Sequence, residues 1–75
     1  MPTLRELRTR QVLTIRDLAA KAGVAPGTIV RIEAGEPAPR FVTMRKIAAA
    51  LGVDPREIQE FAQAIEAAAE GKEAA

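Results

Sequence analysis

Helix-start and helix-stop signals divide almost the whole chain into five short segments, and this punctuation limits the folds it can adopt. At three of the starts a threonine or aspartate stands three residues before a carboxylate, as in a capping box, and at three of the ends a glycine follows the apolar run. These starts are Thr3, Thr14 and Asp54, and these ends are Gly23, Gly35 and Gly52. Apolar residues recur at helical spacing, and no stretch alternates with the period of a strand. The sequence therefore predicts an all-α protein, a compact five-helix bundle.

The predicted helices follow one another with short connections. The first ends at about Arg10, the second extends from Thr14 to Gly23, the third from Pro26 to Gly35 and the fourth from Phe41 to Leu51, and the fifth begins at Asp54 with Pro55 in its first turn. The apolar positions that we expect inside include Leu4, Leu18, Ile29, Ile32, Phe41, Met44, Ile47, Ile58, Phe61 and Ile65. We expect residues 1–70 to form one domain and residues 71–75 to fray.

The composition excludes several kinds of chemistry. The chain has 75 residues with neither cysteine nor histidine, so disulfides, the usual soft-metal sites and Cys or His nucleophiles are excluded. Ser, Asn, Tyr and Trp are missing as well, and capping explains the carboxylates of Asp54 and Glu57. We therefore expect no enzyme, no cofactor and no metal. With no leader and no apolar stretch that could span a bilayer, we expect no membrane contact and a cytoplasmic protein.

Charge is distributed unequally along the chain. Residues 1–46 carry nine basic and four acidic side chains, a net charge of +5, whereas residues 47–75 carry two basic and six acidic ones, a net charge of −4. Such a division allows the basic part to bind a polyanion while the acidic part keeps the protein soluble or contacts a partner. Ordinary solvated helix faces would give the same counts.

The second and third predicted helices, joined by a three-residue turn that begins with glycine, have the length of a helix-turn-helix unit over residues 14–34. The chain resembles the Cro and lambda-type repressor helix-turn-helix family over roughly residues 4–58. The resemblance is carried by LTIRDLA at 13–19, Gly23-Val24, Thr28-Ile29, Arg31-Ile32-Glu33, Gly35, Lys46-Ile47-Ala48 and Ala50-Leu51-Gly52-Val53. It implies a small transcriptional regulator that binds a specific sequence of double-stranded DNA.

The resemblance also implies which residues read the bases. The third helix, residues 26–34, would lie in the major groove with Pro26, Gly27 and Arg31 at base edges and Thr28 facing a phosphate or a thymine methyl. Arg31 can donate two hydrogen bonds to guanine O6 and N7. Alternatively, Arg31 only pairs with Glu33 or is solvated. A further implication is a structural ion pair between Arg8 and Glu33, which would neutralise an acid on the helix that faces DNA.

A second group of residues is expected at the sugar-phosphate backbone. Ala25 and Arg40 are both poor caps for the helices that follow them. Phosphate oxygens or water would therefore accept hydrogen bonds from the first-turn amides. Beside Pro39, Arg40 resembles an arginine that some family members send into the minor groove, and a phosphate contact is the alternative. The phosphate candidates are Arg10, Thr14, Arg16, Ala25, Thr43 and Lys46.

This sequence departs from the family pattern at several of these positions. Ile15 stands where a polar residue, often Gln, is common, and Ala25 replaces a Ser or Thr cap. Pro26 and Gly27 replace longer polar readers. We therefore expect few hydrogen bonds to bases, with apolar contacts and DNA shape supplying part of the specificity.

Two further questions concern partners and origin. The acidic fifth helix, 54–70, with Phe61, Ala64 and Ile65, is our candidate for a homodimer face, although the same residues could all be core. A protein-interaction module, such as an antitoxin or adaptor with the same fold, is the alternative function. The missing residue types fit an engineered or designed sequence and equally a GC-rich thermophile.

Overall fold

A computed structural model gives the architecture of residues 1–71, the part of the chain that the structure describes. Five α-helices and one short 3₁₀ helix follow one another, with no strand within that part: α1 (Leu4–Arg10), α2 (Ile15–Ala22), α3 (Pro26–Glu33), α4 (Phe41–Leu51), the 3₁₀ helix (Pro55–Glu57) and α5 (Gln59–Ala69). The predicted all-α class is confirmed. We expected residues 71–75 to fray. Of these, Gly71 is described by the structure, and residues 72–75 lie outside the described ones.

Local hydrogen bonds set the starts of α1 and α2 as the sequence indicated. The Thr3 hydroxyl accepts from the Glu6 amide at 3.1 Å, and Glu6 Oε1 accepts from the Thr3 amide at 2.8 Å. Thr14 and Asp17 exchange the same two bonds, each 3.0 Å long. Each reciprocal pair satisfies two amides that a helix start leaves without a partner, which fixes where the helix begins.

All five α-helices contribute side chains to the core, which is almost entirely aliphatic. Its fully enclosed side chains are Leu4, Leu18, Ile29, Met44, Ile47, Ile58 and Phe61. α2 packs against both α3 and α4, and α1 contacts α3. No polar side chain is buried among the described residues. None of the helices in that part combines the length and apolar character needed to cross a bilayer.

The fifth α-helix begins later than predicted. Asp54 forms its capping box with Glu57, but the turn that it opens is a 3₁₀ helix that stops at Ile58, whose backbone is extended. Ile58 is fully buried, and the next amide, that of Gln59, donates to the Pro2 carbonyl at 2.9 Å. Long-range burial and this contact with the N-terminal segment therefore override the local start signal, and α5 begins at Gln59.

The predicted place of Phe41 in the core is wrong. Phe41 is the first residue of α4 and is 50% exposed. Because helix side chains incline toward the N-terminus, its ring extends beyond the packed part of the helix. Ala50, which we did not assign, is buried in the core near the other end of α4.

Candidate nucleic-acid interface

Helices α2 and α3 form the helix-turn-helix unit, and a left-handed glycine sets the turn between them. Gly23 has φ 74°, a conformation that costs an L side chain roughly 1–2 kcal/mol. Here it allows the Val24 amide to donate back to the Ala19 carbonyl at 3.0 Å. α3 then starts within two residues, with Pro26 in its first turn.

One side of α3 is buried and the other is open. Ile29 and Ile32 lie in the core, whereas Pro26, Gly27, Arg31 and Ala34 are exposed and Thr28 is half-buried. Val30 is also on the open side, 49% exposed. Val30 was not among the predicted base-reading residues. The signal was available, since Val30 follows Gly27 by three positions and therefore shares its face.

A recess between α3 and the start of α4 brings together four of the predicted site residues. It has a volume of about 280 Å³, and the residues lining it are Thr28, Arg31, Ile32, Pro37, Pro39, Arg40 and Thr43. Two guanidinium groups and two hydroxyls thus share one concave surface. These are the groups that bind phosphate oxygens and base acceptors.

The start of α4 is open and that of α3 lacks a side-chain cap, whereas the start of α2 is closed. At α3, Pro26 has no amide hydrogen and the Thr28 amide donates to the Ala25 carbonyl at 3.0 Å, so only the Gly27 amide is without a partner within residues 1–71. Within residues 1–71, no side chain caps the helix that follows Ala25 or the one that follows Arg40. The amides of Phe41, Val42 and Thr43 donate to no acceptor in that part of the chain. Such amides, at the positive end of a helix dipole, can donate hydrogen bonds to a bound anion. At α2, hydrogen bonds from Thr14 lower the pKa of Asp17, so this carboxylate stays ionised. The amide and the hydroxyl of Thr14 are thus both engaged with Asp17.

Arg8 connects α1, α3 and the turn between α1 and α2. Its Nε donates to Glu33 Oε2 at 2.7 Å and its Nη2 to Glu33 Oε1 at 3.0 Å, while Nη1 donates to the Leu13 carbonyl at 2.9 Å. The two side chains are only 13% and 10% exposed, and the bonds to Glu33 raise the pKa of Arg8. The predicted ion pair is present in the structure.

This pair contradicts one of the two alternatives for Arg31, pairing with Glu33, and leaves solvation as the other. Both carboxylate oxygens of Glu33 accept from Arg8, so the suggested pairing of Arg31 with Glu33 is wrong. The Arg31 guanidinium makes neither a hydrogen bond nor an ion pair with any residue between 1 and 71. It is exposed at the edge of the recess.

Comparison with known proteins identifies the family. The sequence profile of the helix-turn-helix family matches residues 4–58, which is most of the chain. The chain belongs to the helix-turn-helix family. It is similar to RghRB of Bacillus subtilis strain 168, named as an uncharacterized helix-turn-helix-type transcriptional regulator, with 40% identity over 77 aligned positions. That alignment covers 91% of this chain and 55% of the relative, so the chain spans about half the length of the curated relative it matches. No solved structure matches it significantly.

Three other basic candidates of this helix-turn-helix domain lie apart from the recess. Arg10 lies in a shallow hollow on α1 beside Arg5, Glu6 and Thr9. Arg16 is exposed in the first turn of α2, and Lys46 is exposed on α4, three residues after Thr43. The structure therefore brings Thr28, Arg31, Arg40 and Thr43 together, whereas Arg10 lies on α1, Arg16 on α2 and Lys46 further along α4.

Burial excludes one of the three residues named for the predicted dimer face on the segment 54–70. Phe61 is fully buried, so it cannot contact a second copy, and Ala64 and Ile65 are partly buried against the core. The half-exposed Phe41 instead lies in an apolar groove of about 240 Å³. The residues lining this groove are Phe41, Met44, Arg45, Asp54, Pro55, Arg56 and Ile65.

Proposed function

We propose that the protein is a transcriptional regulator that binds a specific sequence of double-stranded DNA, with α3 in the major groove. Its membership in the helix-turn-helix family and the regulator named among its relatives support DNA binding by a regulator. The observation that carries the finer proposal is the Arg31 guanidinium, which has no partner among residues 1–71 and lies beside the uncapped start of α4. Because both oxygens of Glu33 already accept from Arg8, the Arg31 guanidinium is available to an acceptor outside the protein.

In this arrangement Arg31 is the main base reader, and Pro26, Gly27 and Thr28 lie at the base edges with it. A guanidinium fork on guanine O6 and N7 contributes about 1–3 kcal/mol of discrimination. The open starts at Ala25 and at Arg40 receive phosphate oxygens, with Thr43 donating from the same turn of α4. Arg40 extends from there into the minor groove or to a phosphate. The remaining phosphate contacts are Arg10, Thr14, Arg16 and Lys46.

A homodimer is part of the proposal, and the groove beside Phe41 is its contact surface. This contact surface is formed by α4 together with the segment 54–70, because Pro55 and Ile65 also line the groove. The Arg56 guanidinium already donates to the Asp54 carboxylate of the same copy at 3.0 and 2.9 Å, so two copies related by a two-fold axis would meet through the apolar surface of Phe41 and Ile65. Two copies then read paired half-sites about 34–36 Å apart.

Selection from a library of randomised duplexes, followed by sequencing, tests sequence-specific binding. We expect Arg31→Ala to relax the preference at one base position and Lys46→Ala to weaken binding to all duplexes alike, because the first removes a base contact and the second a phosphate contact. The Lys46 variant is thus the matched control. Equal losses on every duplex from both changes would contradict the proposal. Weak, sequence-blind binding together with a stable protein complex would favour the alternative, a protein-interaction module.

A further inference from the structure

Val30 is the feature of α3 that the proposed function leaves unexplained. Its side chain is about half exposed on the same side of the helix as Arg31 and Ala34, and it does not belong to the core. A valine side chain is restricted to essentially one rotamer in a helix, and at this half-exposed position little apolar surface is buried in return. Nothing in the packing of residues 1–71 therefore requires an apolar side chain there.

Gly27, one turn before Val30, is unexplained in the same way. Its φ is not positive, so the backbone does not require glycine, and a Cβ added there would meet nothing within 4 Å in the described part of the chain. A glycine within a helix destabilises it relative to alanine. The missing side chain leaves a notch on the helix surface, with Val30 three residues and Arg31 four residues further on.

We propose that this notch receives the C5-methyl group of a thymine and that Val30 is a specificity-determining residue. The inference rests on the proposed function, since it requires α3 to lie in the major groove. The thymine methyl is the apolar group that base pairs display there. Val30 has neither donor nor acceptor in its side chain, so a cytosine amino group placed against it would lose water without gaining a hydrogen bond.

The position of Arg31 defines which thymine is read. Val30 and Arg31 are consecutive residues on the two sides of the notch, so their base contacts lie in neighbouring base pairs. The guanidiniums of Arg31 and Arg40, for which the described part of the chain offers no partner, favour a polyanion over an apolar protein segment as the occupant of this surface. The half-site should therefore contain a thymine next to the guanine that Arg31 contacts.

Replacing thymine by deoxyuridine, one position at a time, in the duplex obtained by selection tests the proposal. Deoxyuridine keeps every hydrogen-bonding group and lacks only the methyl. For the unchanged protein we expect about a fourfold loss of affinity at one position beside the guanine, the effect of removing one buried methyl. Val30→Ala and Gly27→Ala should each reduce this thymine-to-uracil ratio to near one, the first by removing the contact and the second by filling the notch.

Val12→Ala is the matched control, since it shortens another exposed valine outside α3 and should leave the ratio at about four. Circular dichroism verifies that each variant is folded. If no uracil position is sensitive, or if the sensitivity survives in both α3 variants, the inference about Val30 is wrong while sequence-specific binding stands. If selection enriches no sequence, the proposed function itself fails.

Discussion

At the scale of single residues, Val12 is the clearest strain in the described chain. It has φ 59° and is 86% exposed, so a β-branched side chain occupies the left-handed region with almost no packing in return. The residue closes α1, because the Val12 amide donates to the Thr9 carbonyl at 2.9 Å and the Leu13 amide to the Arg8 carbonyl at 3.1 Å. This is the helix end that usually takes glycine.

We expect Val12→Gly to stabilise the protein by about 0.5–1 kcal/mol. Relief of the left-handed conformation contributes roughly 1–2 kcal/mol, and the greater freedom of glycine in the unfolded chain offsets part of it. Urea denaturation followed by circular dichroism measures the change. Val12→Ala is the control, since alanine retains the Cβ that clashes. The prediction is wrong if the glycine variant is no more stable than the alanine one.

At the scale of the elements, helix ends show what local sequence can and cannot predict. Glycine closes α2, α3 and α4 with positive φ, as the sequence indicated, and an amide beyond each end donates back to the last turn. α1 makes the same closure at Val12, where no residue preference signals it. The start at Gln59 was also missed, because the buried Ile58 and the bond from Gln59 to Pro2 connect segments far apart in sequence.

The candidate interface shows the same division between local and long-range information. The uncapped starts at Ala25 and Arg40 follow from the identity of single residues and could be predicted. The exposure of Phe41 and the full burial of Phe61 depend on how α4 and α5 pack, so periodicity alone could not tell which of the two rings is accessible. Likewise, Glu33 is not available to Arg31 because Arg8, on another helix, pairs with both of its oxygens, and the sequence spacing alone does not show this.

The ion pair between α1 and α3 carries a prediction at this scale. Arg8→Met leaves the Glu33 carboxylate nearly buried and without its partner, and we expect it to destabilise the protein by about 3 kcal/mol. Replacing both residues, Arg8→Met with Glu33→Met, should recover most of that loss because it removes the uncompensated charge. Thermal and urea denaturation of both variants measure the difference. A double variant as unstable as the single one would show that Arg8 acts through the Leu13 carbonyl rather than through Glu33.

At the scale of the whole molecule, the unequal charge distribution and the Phe41 groove make a joint prediction. If each copy neutralises roughly four phosphates, the slope of log K against log salt concentration is about −3.6 for one copy and about −7 for a dimer on two half-sites. Phe41→Ser should remove the dimer contact and therefore return the steeper slope toward the shallower one. Serine is the chosen replacement because a carboxylate at the start of α4 would itself repel phosphate.

Val42→Ser is the matched control for this experiment. Val42 follows Phe41 on α4 and is 48% exposed, nearly the same fraction, but it does not line the groove. A loss of apolar surface anywhere near the start of α4 would change both variants equally, whereas a dimer contact at the groove changes the Phe41 variant alone. Sedimentation on the selected duplex gives the number of copies bound independently of the salt slope. A shallow slope with one copy per duplex for the unchanged protein would mean that the groove beside Phe41 does not join two copies on DNA.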